Sequence, residues 1–220
     1  MNCLFKLGLW MSLVGSLFFA PSLLSQEGPR TMTKISTRVV EPAPKEGSFA
    51  AEPRTVWRAG TKYARIAESP DPENHIQGLV IVREPDVWMV NLFDKSARHI
   101  IDPGPVLAVH LPVFEPAEGA RTKLNELEIG RELEFFANNG ATKSTGEVIK
   151  GRASARRELT INGETVVLWT DAKSGKPVRV RLVKTAQSQT IEYLAYEDDL
   201  TFDASLFQLP AGITVVEESK

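Results

Sequence analysis

Three histidines, His75, His99 and His110, are the first residues to weigh for chemistry, since a neutral imidazole serves as a base or a metal ligand. None stands four residues from another, none belongs to an H-E-x-x-H arrangement, and no cysteine stands beside them. His99 in SARHII and His110 in VLAVHL read as strand or core histidines with a satisfied hydrogen bond. A serine nucleophile of the G-x-S-x-G kind is absent, and Gly47-Ser48 and Ser174-Gly175 sit in turn-like loops. Asp198 and Asp199 offer an acid–base couple on paper, but they close a strand and precede LTFDASLF, where capping and solvation account for them. There is no phosphate-binding glycine loop. The sequence assigns no catalytic residue, no metal and no cofactor, and the expectation is a protein that is not an enzyme.

What remains is apolar surface. Trp57, Tyr63, Trp88, Phe93 and Trp169 fall on separate extended stretches. They either fill an ordinary core or line a concavity, where aromatic and aliphatic walls hold acyl chains without directional polar groups. Residue type and strand placement select Trp57, Tyr63, Leu79, Ile81, Trp88, Val90 and Trp169 as the lining of such a cavity.

The element that must position them is Ile76–Ile101, two apolar runs around the polar turn REPD, which is a hairpin pattern. Leu79–Val82 and Val87–Phe93 lack the strict alternation of a half-wet sheet, so both faces of this hairpin need cover. Before it, Lys34–Val40, Arg54–Arg58 and Lys62–Glu68 read as extended, with a bulge or bend at Gly60; after it, Asp102–Pro105 is a stop. Val106–Phe114 reads as an edge strand or a short buried helix, and Arg121–Phe136 as helix then strand. From Arg156 a meander follows, with a two-residue turn at Asn162-Gly163, a turn at Asp171–Gly175, strands at Val178–Val183 and Thr190–Tyr196, a helical turn at Asp203–Phe207 and a last strand at Ile213–Val216. The fold class is mainly β with short helices, an antiparallel sheet strongly curled or half-closed.

Twenty-six Lys and Arg against 28 Asp and Glu exclude the basic footprint of a nucleic-acid binder. The one basic cluster, Lys150–Arg157, reads as a solvated strand-and-turn face, with attraction to an anionic membrane or partner as the other reading. Met1–Lys6 carries a positive charge ahead of the apolar run Leu7–Leu24, the pattern of a secretory signal peptide over 1–26. The expectation is an exported, periplasmic protein with a single domain over 27–220. Cys3 lies inside the leader, so the mature chain has no cysteine and its stability comes from packing.

Three segments carry a family resemblance: RTVWRAGTKYARIAESPDPENHIQGLVIVREPDVWMVNLFDKSA, then VVLWTDAKSGKPVRVRLV with its D-x-x-S-G-x-P turn, then FDASLFQLPAGITVVE. Their order resembles that of the LolA-like group, the periplasmic outer-membrane lipoprotein carriers and their relatives, over about half of the mature chain. The resemblance implies a half-open antiparallel β-barrel of LolA/LolB type with a helical lid over an apolar cavity for acyl chains. It implies a lipid or acylated lipoprotein as partner, with inner- or outer-membrane envelope proteins. The family's amino-terminal helix has no counterpart here. The family's arginine that helps hold the lid closed would fall at Gly60-Thr61, with Arg58 nearby and out of register. The alternative reading is an envelope interaction or sensor module on the same shell with no transported ligand.

Overall fold

A computed structural model of the chain describes residues 28–114 and 122–217; the leader expected over 1–26 lies outside them. The extended stretches become twelve strands: β1 (Thr31–Glu41), β2 (Arg54–Ala59), β3 (Tyr63–Glu68), β4 (Gly78–Arg83), β5 (Asp86–Asn91), β6 (Ser96–Ile101), β7 (Thr142–Ile149), β8 (Arg152–Ile161), β9 (Glu164–Asp171), β10 (Pro177–Val183), β11 (Gln189–Thr201) and β12 (Thr214–Glu217). They form one sheet in the order β12-β6-β5-β4-β3-β2-β1-β11-β10-β9-β8-β7. All neighbours are antiparallel except β12, which runs parallel to β6. The terminal strands β7 and β12 do not pair with each other, so the sheet is a half-open barrel. At the β8–β9 turn Asn162 (φ 53°) and Gly163 (φ 84°) both take the left-handed backbone that a two-residue hairpin loop demands.

Alternation along each strand separates two faces. On the first, Ile35, Leu168, Val180 and Leu182 pack against Leu124, Leu127, Phe135 and Phe136. Beside them Val56, Ala64 and Val82 meet Val109 and Leu111. The covering pieces are residues 106–114, a 3₁₀ turn at Lys123–Glu126 and one helix, α1 (Glu132–Asn138); together they are the lid.

Two expectations are corrected here. Val106–Phe114 is neither strand nor helix; it is irregular chain pinned by main-chain bonds, with Val109 donating to Thr61 and Val113 to Leu127. The stretch read as helix then strand is a 3₁₀ turn followed by a helix, and Leu133 and Phe135 are helical. Phe135 and Phe136 sit three and four positions after Glu132 on the buried side of α1, so a carboxylate interrupts the apolar periodicity a sequence reading relies on. The strand β7 lies beyond the meander expected from Arg156, and β8 begins four residues before it.

The second face is divided. Its β2–β6 half is apolar and is covered by the carboxyl-terminal segment. Leu79, Ile81, Val90 and Ala97 meet Leu209 and Ile213, while Met32, Ala59, Trp57 and Tyr63 meet Phe202, Leu206 and Phe207. The 3₁₀ turn Ala204–Phe207 is capped by Asp203, whose carboxylate accepts the Ser205 amide at 2.9 Å.

The other half is charged, and its centre is Glu192. This side chain is 5% exposed and accepts from Arg38 (3.1 Å), Lys150 (2.6 Å) and Arg179 (2.7 Å). Burial pushes its carboxyl up, but the bonds from Lys150, Arg179 and Arg38 outweigh burial and hold it down to about 2. A carboxylate depressed in the folded state adds stability above its unfolded pKa and loses it as pH falls through the folded value. Chemical denaturation is therefore expected to show about 1–3 kcal/mol of stability lost between roughly pH 5 and pH 2, the partly exposed cations keeping the figure low. Glu192→Gln should be less stable at pH 7 and flatter across that window. An unchanged slope would remove Glu192 from the account.

Candidate functional site

The lid is latched by Arg58. Alternation along β2 puts Val56 and Arg58 on the lid face, so the guanidinium is carried into the interior, 6% exposed. There it pairs with Glu128 at 2.6 Å and donates to the carbonyls of Ile129 (3.1 Å) and Val109 (3.3 Å). Both lid segments are thus tied to one strand by one planar fork, the geometry at which arginine excels. His110, mostly solvent-exposed, adds a contact to Glu128 at 3.0 Å. Gly130 (φ 85°) makes the turn into α1; a Cβ there would come within 3.4 Å of Ile35 and 3.6 Å of Arg58.

Behind the latch lies Glu132, fully buried at the start of α1. Its Oε1 accepts from the Tyr193 hydroxyl (2.7 Å) and the Gly130 amide (2.9 Å), and its Oε2 has no partner. Burial pushes this carboxyl up against those two bonds, and burial beside it pushes the Tyr193 phenol up as well. The neutral acid is the form this interior favours.

Next to the latch, where β1 and β11 leave the lid, is a cavity of about 370 Å³. Val39 and Ile191 from the sheet, Val113, Phe114 and Ile129 from the lid, and Phe49 from the connection after β1 form its apolar walls. Of the charged side chains at its rim, Arg54 pairs with Glu68 at 2.8 Å, Arg38 with Glu192, and Glu41 with Arg181 at 3.1 Å, while Glu52 adds a further carboxylate. The size falls within the range of small-molecule sites, and the walls suit an aliphatic group. A second cleft of about 900 Å³, lined by His110, Lys123, Glu128, Arg131 and Glu134 among others, is polar and more open. Among the described residues no three His, Cys, Asp or Glu side chains are grouped to hold a metal ion.

The residues selected from sequence for a lining lie elsewhere. Trp57, Tyr63, Leu79, Ile81, Trp88 and Val90 do share one face, but it is the face beneath residues 202–213, opposite the lid. Trp88 stacks on His99 (5.1 Å) with Arg83 over its ring, and Arg65 lies over Trp57. Trp169 sits apart on the charged half, its indole donating to Glu147. None of these residues borders either cavity. The cavity walls include residues sequence reasoning did not select, and the available signal was VLAVHLPVF, an apolar run whose Pro112 argues against any regular element.

No protein-family model and no curated protein matches the chain. Solved structures do. The chain is similar to an uncharacterized conserved protein of Thermus thermophilus, with a TM-score of 0.51 and 8% identity, over 86% of this chain and 91% of that one. Structural neighbours also include the LolA superfamily protein NE2245 of Nitrosomonas europaea (TM-score 0.34, 11% identity, 83% of this chain and 91% of that one). A further one is the MucA/MucB complex of Pseudomonas aeruginosa (TM-score 0.46, 11% identity, 84% of this chain and 58% of that one). The class defined by the unclosed antiparallel sheet and its lid is a half-open β-barrel.

Proposed function

We propose that this is an exported binding protein that takes the acyl chain of a lipid or of an acylated lipoprotein into the lidded cavity. The observation that carries the reading is the cavity itself, apolar on walls supplied by both sheet and lid and adjacent to a buried arginine that ties the lid shut. Affinity would come from buried methylenes, each worth roughly 0.8 kcal/mol, with no need for a directional contact. Arg54, Glu68 and Glu41 at the rim are already paired within the protein, which keeps their charges from the chain entering the cavity.

A second reading has its own observation. Met89 and Val216, 47% and 60% exposed, flank exposed Arg98 across the β5–β6–β12 ladder, a mixed apolar and basic surface that an envelope partner would cover.

Native mass spectrometry of the protein purified from its own envelope, followed by organic extraction, separates the two. An acylated species that co-purifies with the wild type and is lost from Ile191→Trp, a cavity-filling variant of unchanged thermal midpoint, supports the carrier. A bare mass, together with no uptake of a fluorescent fatty acid, would sink it.

A further inference from the structure

We infer that the β7–β8 hairpin is a docking element for an anionic phospholipid surface. In a chain with slightly more acids than bases, Thr142–Ile161 carries five cations, Lys143, Lys150, Arg152, Arg156 and Arg157, against two carboxylates. Both carboxylates, Glu147 and Glu158, are held by Arg156. Lys150 shares Glu192 with Arg38 and Arg179, so three cations meet one carboxylate. Lys143 stands directly across the ladder from Arg157, a like-charge pairing that costs stability in a bare hairpin and that an external anion offsets. Asp171 on β9 offsets part of the charge of Arg152, and the positive charge, still in local excess, sits at one edge of the sheet.

The tip of the hairpin decides which anion. Val148 is 67% exposed and Ile149 half-buried, immediately before exposed Lys150 and Arg152. Two apolar side chains flanked by cations match the boundary between headgroups and acyl chains. They are far too small for the core of a protein interface, which needs about 800 Å² per partner. The tip is also held in place: Lys150 reaches across to β11, and Glu147 takes the Trp169 indole. A pinned hairpin presents its charges without an ordering cost at the surface.

The inference stands whether or not the cavity holds a chain, and flotation with vesicles tests it. The protein should float with vesicles of phosphatidylcholine containing phosphatidylglycerol, and not with phosphatidylcholine alone. Retention should fall steeply at about 0.3 M salt. Lys143→Glu/Arg152→Glu should weaken it about tenfold or more at unchanged circular dichroism and melting, and Val148→Asp should weaken it as well. Ile191→Trp should float like the wild type. Equal recovery on both vesicle types, indifference to the charge reversal, loss of flotation in Ile191→Trp, or capture of an acidic protein with no vesicle binding would each overturn the assignment.

Discussion

Arg58→Ala is expected to destabilise the protein by about 3–5 kcal/mol, because it leaves the Glu128 carboxylate buried without its cation. The loss should be local first. Val109, whose amide bonds Thr61, and the crossed pair Val113 to Leu127 and Ile129 to Leu111 hold the two lid segments to the sheet and to each other. Hydrogen exchange should show these amides losing protection while the β8–β11 ladder keeps its own. The double variant Arg58→Met/Glu128→Leu should recover part of the stability, since an apolar pair avoids two desolvated charges while the Ile129 and Val109 carbonyls still lose their donor. On the carrier reading the two variants differ in a second way. Arg58→Ala, its lid released, should exchange a fatty-acid probe faster than wild type, with the double variant between the two. Full protection of the lid amides in Arg58→Ala would show that packing of Val109, Leu111 and α1 holds the lid without the latch.

The latch also shows what a motif comparison can and cannot carry. The sequence resemblance to the LolA-like group would put a lid-holding arginine at Gly60-Thr61, with Arg58 out of register. In the fold, strand parity decides which residues face the lid, and Arg58 shares the face of Val56 and Ala64. Its partners are Val109, Glu128 and Ile129, more than fifty residues away, and no local spacing announces them.

Turn chemistry was legible because it is local. Asn162-Gly163, Asp171–Gly175 and the capped turn at Asp203 act through their own backbone, and each lies where its residues imply. The doubly apolar hairpin was legible too: β4 and β5 are covered on one side by lid residues and on the other by Leu209 and Ile213. Which cover lies on which side was not, because two apolar faces give the same pattern. That is why Trp57, Tyr63, Leu79, Ile81, Trp88 and Val90 were grouped on one face while the sequence did not place the lid on the other. Polar β7 has no alternation to read, and β12 pairs in parallel with a strand more than a hundred residues earlier. Contacts of that kind are tertiary, and they override local preference.

Phe207→Ala is expected to cost about 3–5 kcal/mol and to loosen the cover over that second face. The ring is 1% exposed, packs edge-on to Tyr63 at 5.5 Å and stacks on Phe202 at 5.5 Å, while Leu206 beside it accepts from Arg65 at 2.9 Å. Truncation empties the centre of a cluster that includes Met32, Ala59 and Trp57. Urea denaturation should show the drop in midpoint, and tryptophan emission should shift to the red as water reaches Trp57. The same variant tests where an acyl chain would lie. With the cavity between β1, β11 and the lid as the binding site, Phe207→Ala should keep the uptake of a fatty-acid probe under conditions where it is still folded, while Ile191→Trp loses it. Were Trp57 and Tyr63 the walls instead, opening their cover would change uptake in the folded protein, and Ile191→Trp would leave it alone. The two variants act on opposite faces of one sheet, so their effects on stability should add, and only their effects on uptake assign the face that binds.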